Sequence, residues 1–110
     1  MNTFEMKTVI HFGENALERL KDIPYKRVLI ITDPFVVQSK MIDLITEPLT
    51  RGGKEYDIFH NVVPDAPVDK IADGVKKFLR FQPEVVVAVG GGSAIDSSKA
   101  IREFALKKWG

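Results

Sequence analysis

Residues 84–101 read EVVVAVGGGSAIDSSKAI. Val85 to Val89 is short and wholly apolar, and all but one of its residues are β-branched. Such a run suits a parallel strand covered on both faces. Gly90, Gly91 and Gly92 then break the strand, and Ser93, Ala94, Ile95 and Asp96 open a segment that reads as helix from about Ala94. A buried strand feeding a glycine bend feeding a helix commits the chain to an α/β architecture. It also makes a place for a phosphate. Glycines let the backbone approach an anion closely and take positive φ. The free N–H groups of a helix's first turn face that anion, and the helix dipole adds about 0.3–1 kcal/mol. Ser93 suits an N-cap, with Asp96 at capping-box spacing. The spacing is not G-x-G-x-x-G, and a plain βα turn whose glycines only tighten the bend fits the same letters.

The rest of the chain repeats the alternation. Met6 to Phe12 is a short strand candidate, ended by Gly13. A helix follows with Ala16, Leu17 and Leu20 on one face, and Pro24 ends it. Arg27 to Ile31 reads as a strand, continuously apolar from Val28 to Ile31 and closed by Thr32, Asp33 and Pro34. Val37, Met41, Leu44, Ile45 and Leu49 predict one helix from about Phe35 to Thr50, kinked or shortened by Pro48. After the Arg51-Gly52-Gly53 turn, Glu55 to Phe59 is a weaker strand. Asn61 to Pro67 is a loop. The next helix carries Val68, Ile71, Val75, Phe78 and Leu79 on one stripe and stops at Gln82-Pro83. In the last helix Ala94, Ser98, Ile101 and Ala105 make a small-residue face fit to pack closely on a sheet. The expected fold is α/β, a Rossmann-like parallel sheet with helices on both faces, in one domain spanning residues 1–110.

Composition removes several function classes. A net charge of +1 with no clustered Lys and Arg gives no support to a nucleic-acid surface. With no cysteine, disulfides and thiolate metal sites are excluded. No apolar run approaches a membrane span, and no signal-peptide core is present at the start, so the cytoplasm is the default location. His11 and His60 are the only histidines, and neither has a second at helical spacing, so they read as turn residues rather than metal ligands. Asp33 lies at the carboxyl end of a strand, where open α/β sheets bind ligands. A carboxylate there can accept both hydroxyls of an adenosine ribose and repel a 2′-phosphate; equally, it can cap the helix beginning near Phe35. Tyr25, Phe35, Phe59, Phe78, Phe81 and Phe104 read as core or cover. The pairs Lys76-Lys77 and Lys107-Lys108 read as solvated faces.

Gly90-Gly91-Gly92-Ser93, Asp96 three places on, and Lys99-Ala100-Ile101 resemble the signature of the iron-containing (group III) alcohol dehydrogenases. His11-Phe12-Gly13-Glu14-Asn15-Ala16-Leu17, Val28 to Asp33 with Pro34, and Val63-Pro64-Asp65-Ala66-Pro67 match other pieces of that family in order. The resemblance covers nearly the whole chain but only the first part of a typical member. It implies the N-terminal domain of a dehydroquinate synthase-like fold that binds NAD, with Asp33 at the ribose, Gly91, Gly92 and Ser93 at the pyrophosphate, and Asp65 beside the cofactor. Many members carry Asn where this chain has Asp65. Asp96 reads as structural. The implied reaction interconverts a primary alcohol and an aldehyde, with a mild lean toward short aliphatic alcohols such as propanol. A glycerol dehydrogenase-like parent is the alternative, as is a non-catalytic nucleotide-binding or assembly module. Iron or zinc is implied in a later helical domain, so this chain carries neither catalytic nor metal residues and reads as a fragment. A homo-oligomer is implied, with no nucleic-acid or membrane partner.

Overall fold

The computed structural model describes residues 9–10, 24–62, 67–90 and 92–109. Its elements run β1 (Val9–Ile10), β2 (Arg27–Thr32), α1 (Pro34–Gln38), α2 (Asp43–Arg51), β3 (Glu55–Phe59), α3 (Val68–Phe81), β4 (Val85–Val89) and α4 (Gly92–Trp109). The strands form one sheet in the order β1-β4-β2-β3, and every neighbouring pair is parallel. β2 and β4 are central, and their apolar runs need cover on both sides. The helices supply it, as the alternation predicts. The predicted helix around Ala16–Leu20 lies outside the described residues.

Alternation along the strands divides the core in two. Val28, Ile30, Val85, Val87 and Val89 face Val36 of α1, Ile42, and Ile45 and Leu49 of α2. Leu29, Ile31 and Val86 face Val75 and Phe78 of α3 and Ala94, Ile101 and Ala105 of α4. The small-residue face of α4 does what its letters suggest. Ala94, Ile101 and Ala105 are fully buried, and a Cβ built on Gly74 of α3 would lie 2.3 Å from Ile101 Cδ1. Two helices seat this closely only because one offers a glycine.

Three expectations are corrected. The helix predicted from Phe35 to Thr50 is two helices. It breaks between Gln38 and Asp43, where Lys40 takes φ 65°. The break re-phases the apolar stripe: Val36, Ile42, Ile45 and Leu49 are buried, while Leu44 is turned out. Pro48 does not end α2; it sits buried within it. Val68, placed on the core stripe of α3, is 83% exposed. Phe35 and Phe104, read as core or cover, are exposed.

Candidate functional site

β2 sends its connection, α1 and α2, to the Val28–Ile30 face of the sheet. Its neighbour β4 sends α4 to the other face. Connections that leave adjacent strands in opposite directions open a crevice between their carboxyl ends, which is where open α/β sheets take ligands. Asp33 and the glycine bend stand at the two ends that form it.

The strand ends are tied together there. Thr32 pairs with Val89 in the ladder, and the buried Thr32 hydroxyl donates to the Val89 carbonyl at 2.8 Å. One residue on, Asp33 and Gly90 face each other. Asp33 is the N-cap of α1: its Oδ1 accepts the Val36 N–H at 3.0 Å. Pro34 at the first helical position needs no partner for a missing N–H. The second oxygen, Oδ2, is turned to the bend, where a Cβ built on Gly90 would lie 2.9 Å from it. Gly90 has φ 127°, a conformation side chains rarely adopt. Of the two roles read from the letters for Asp33, capping is the one the geometry displays, and it occupies one oxygen.

α4 begins at Gly92, two residues earlier than expected. Ser93 therefore lies inside the first turn and is not the N-cap, and it is half-buried. The helix starts sooner because Gly92 already has helical backbone. Asp96 is exposed a turn along. Gly91 and Asp65 lie outside the described residues, as do His11 and residues 63–66. The crevice thus brings together Asp33, Gly90, Gly92 and Ser93. Gly90 is the member that the sequence did not single out; three consecutive glycines carry no sign of which one takes positive φ.

Elsewhere the donor sets are sparse. Among the described residues no group of three or more His, Cys, Asp or Glu converges to hold a metal. His60 is exposed beyond β3. Among those residues no helix is long and apolar enough to cross a membrane. A groove of about 430 Å³ runs along the outer faces of α3 and α4, lined by Val68, Ile71, Val75, Leu79 and Phe104 with Lys76 and Lys107 at its rim. It lies on the helical layer, away from the strand ends.

The opposite end of the sheet is built differently. Glu84 Oε1 accepts the N–H groups of Lys26 at 2.6 Å and Arg27 at 3.0 Å. Those two bonds hold its carboxyl below the usual glutamate range. The Arg27 guanidinium lies 4.3 Å from the centre of the Phe81 ring, donates to the Phe81 and Gln82 carbonyls, and pairs with Glu55 at 2.8 Å.

Comparison with known proteins agrees with this architecture. The family described as iron-containing alcohol dehydrogenase matches residues 7–109. A 1-propanol dehydrogenase, PduQ, of Salmonella typhimurium is 34% identical over 104 residues, covering 94% of this chain and 28% of its own length. An NADPH-dependent butanol dehydrogenase of Clostridium saccharobutylicum is 30% identical over 105 residues, 94% of this chain and 27% of that protein. The solved iron-containing alcohol dehydrogenase of Thermococcus thioreducens superposes with a TM-score of 0.76 at 29% identity, covering 94% of this chain and 28% of that one. The chain therefore spans under a third of the length of these relatives. With a match over almost all of its residues and the same parallel sheet, it belongs to the iron-containing alcohol dehydrogenase family.

Proposed function

We propose that residues 1–110 form the dinucleotide-binding part of an iron-type alcohol dehydrogenase, one that interconverts a primary alcohol and an aldehyde using NAD. The observation that carries this reading is the pairing of Asp33 with the Gly90 bend at the crevice between β2 and β4. A dinucleotide needs an anion seat and a hydroxyl acceptor a few ångströms apart, and this crevice offers both. The bend and the first turn of α4 present backbone N–H groups and the positive end of an 18-residue helix to the pyrophosphate. Gly91, Gly92 and Ser93 are the residues assigned to it, with the Ser93 hydroxyl a further donor. Asp33 is assigned to the adenosine ribose through Oδ2, since Oδ1 is held by the Val36 N–H. Asp65 is assigned beside the cofactor on the strength of the family resemblance alone.

The fit is a matter of room as well as charge: Gly90 has no side chain where Asp33 and the bend meet. When bound, the nicotinamide accepts or returns the hydride. This chain's residues bind and orient the nucleotide. They do not include a metal-binding donor set among those described, and no catalytic step is assigned to them. In the family the metal ligands belong to a later helical domain. We place the alcohol, the iron or zinc, and the hydride-transfer site with the remainder of a longer, oligomeric, cytoplasmic enzyme. A short aliphatic alcohol is the substrate class favoured by the likeness to the propanol enzyme.

Calorimetric titration of the folded chain with NAD tests the reading. Saturable heat is the expected result. No heat at millimolar NAD, with the chain folded by circular dichroism, overturns it and favours an assembly role. An alcohol oxidation assay of this chain with added iron or zinc is expected to show no turnover, whereas turnover would place a metal site within these residues.

A further inference from the structure

The glycine that abuts Asp33 is Gly90, which is not among the residues assigned to the nucleotide. Two features bear on its lack of a side chain. Its φ of 127° belongs to the bend itself. Its φ already disfavours a side chain, and Asp33 disfavours one again: a built Cβ would fall 2.9 Å from Oδ2 and 3.8 Å from the carboxyl carbon, with Ala94 Cβ at 3.7 Å. A Cβ essentially never stands that near a heavy atom, so any side chain here must push the carboxylate away. The carboxylate has little freedom to yield. Its other oxygen is fixed by the Val36 N–H at 3.0 Å, and its backbone is held by the Thr32–Val89 clasp one residue back.

We propose that Gly90 is a positioning residue for nucleotide selection. By leaving the space beside the bend empty, it lets Oδ2 of Asp33 stand where it can accept the ribose 2′-hydroxyl and oppose a 2′-phosphate. This rests on the NAD-binding reading above and adds to it a residue that acts through Asp33 rather than on the ligand. Selection then depends on a pair of positions: the acid at the end of β2 and the absence of a side chain at the end of β4.

The test is a double-mutant cycle on the full chain, with Gly90→Ala, Asp33→Ser and both together. Serine keeps an N-cap acceptor for α1 while removing the carboxylate. Dissociation constants for NAD and NADP and the melting temperature are read for all four proteins. Gly90→Ala is expected to weaken NAD about tenfold, the loss of one hydrogen bond to a charged group, while leaving NADP nearly unchanged. The NAD:NADP ratio then moves toward unity. In the Asp33→Ser background the same alanine leaves the ratio where it is and lowers the melting temperature less than it does beside Asp33. If alanine weakens both nucleotides equally, or shifts the ratio as much in the Asp33→Ser background, Gly90 serves only the backbone and the proposal falls. If the unaltered chain binds neither nucleotide, the NAD-binding reading fails and takes the selection role with it. The melting temperatures separate the two failures. A smaller loss from alanine in the Asp33→Ser background shows the contact is real without a nucleotide to serve; equal losses show that the contact itself was misjudged.

Discussion

The two ends of the parallel sheet follow opposite rules. At the amino ends of β2, β3 and β4, two long side chains tie the strands together. Arg27 reaches Glu55, Phe81 and Gln82, and Glu84 reaches back to two backbone amides. At the carboxyl ends of β2 and β4 the side chains are short or missing. Among the described residues Thr32 makes one internal side-chain bond, Asp33 engages one oxygen of two, and Gly90 contributes only backbone. Polar groups satisfied inside the protein brace it. Polar groups left aimed at a crevice are available to something else. The contrast supports the carboxyl end as the proposed binding end of the sheet, and it can be attacked from both sides.

The largest effect is expected at the carboxyl end. Gly92→Val puts a β-branched side chain at the first residue of α4, where the phosphates are assigned. NAD affinity should fall by about a hundredfold or more, equivalent to roughly 3 kcal/mol, with the circular dichroism spectrum preserved. Unchanged affinity would move the phosphates elsewhere. Arg27→Ala should do the reverse. It removes the stack on Phe81, the bonds to two carbonyls and the pair with Glu55, and should cost about 1–3 kcal/mol in denaturant unfolding. The NAD dissociation constant should not move, because the brace lies at the far end of the strands. A joint loss of stability and affinity would dissolve the division between the ends. Asp33→Ser comes next, with an NAD:NADP preference reduced by about tenfold and little change in melting temperature, since serine also caps.

The smallest effect is a matter of pH. Glu84 is held below its ordinary pKa by the two amides it accepts. A carboxylate with a depressed folded-state pKa stabilises the fold above its unfolded value and loses that contribution as pH falls through the folded one. The unaltered chain should therefore lose stability on acidification below about pH 4, and Glu84→Gln should lose less across that window. Parallel acid limbs for the two proteins would show that the brace does not depend on the charge.

What the letters disclosed follows from how local each cause is. Val85–Val89 and Val28–Ile31 announced themselves because burial on both faces forces an unbroken apolar run. The close seat of α4 on the sheet was legible in Ala94, Ser98, Ile101 and Ala105, whereas its approach to Gly74 of α3 was not. The split of the Phe35–Thr50 segment was hidden. Lys40 supplies a left-handed residue with a side chain that ordinarily avoids it, and the apolar positions on either side keep nearly helical spacing. Ser93 misled for a related reason. A good capping residue is persuasive even when the glycine before it is already helical. The amino-end brace had no local signal at all. Its partners are separated by up to 58 residues, and only the sheet register brings them together. At the crevice, Asp33 was recognised as carrying two candidate roles, and among the described residues the capping bond engages one of its two oxygens.

The shared employment of Asp33 narrows how this corner can be altered by evolution or by design. A replacement that only abolishes the negative charge, such as alanine or leucine, strips α1 of its opening acceptor and unsettles the short helix on which Val36 reaches the core. The tolerated substitutes are the few small polar residues that still greet the Val36 amide. Under the proposed ribose role of Asp33, changes of nucleotide taste at this strand end are thus funnelled through serine, threonine and asparagine, with glycine as the loosest member of the set.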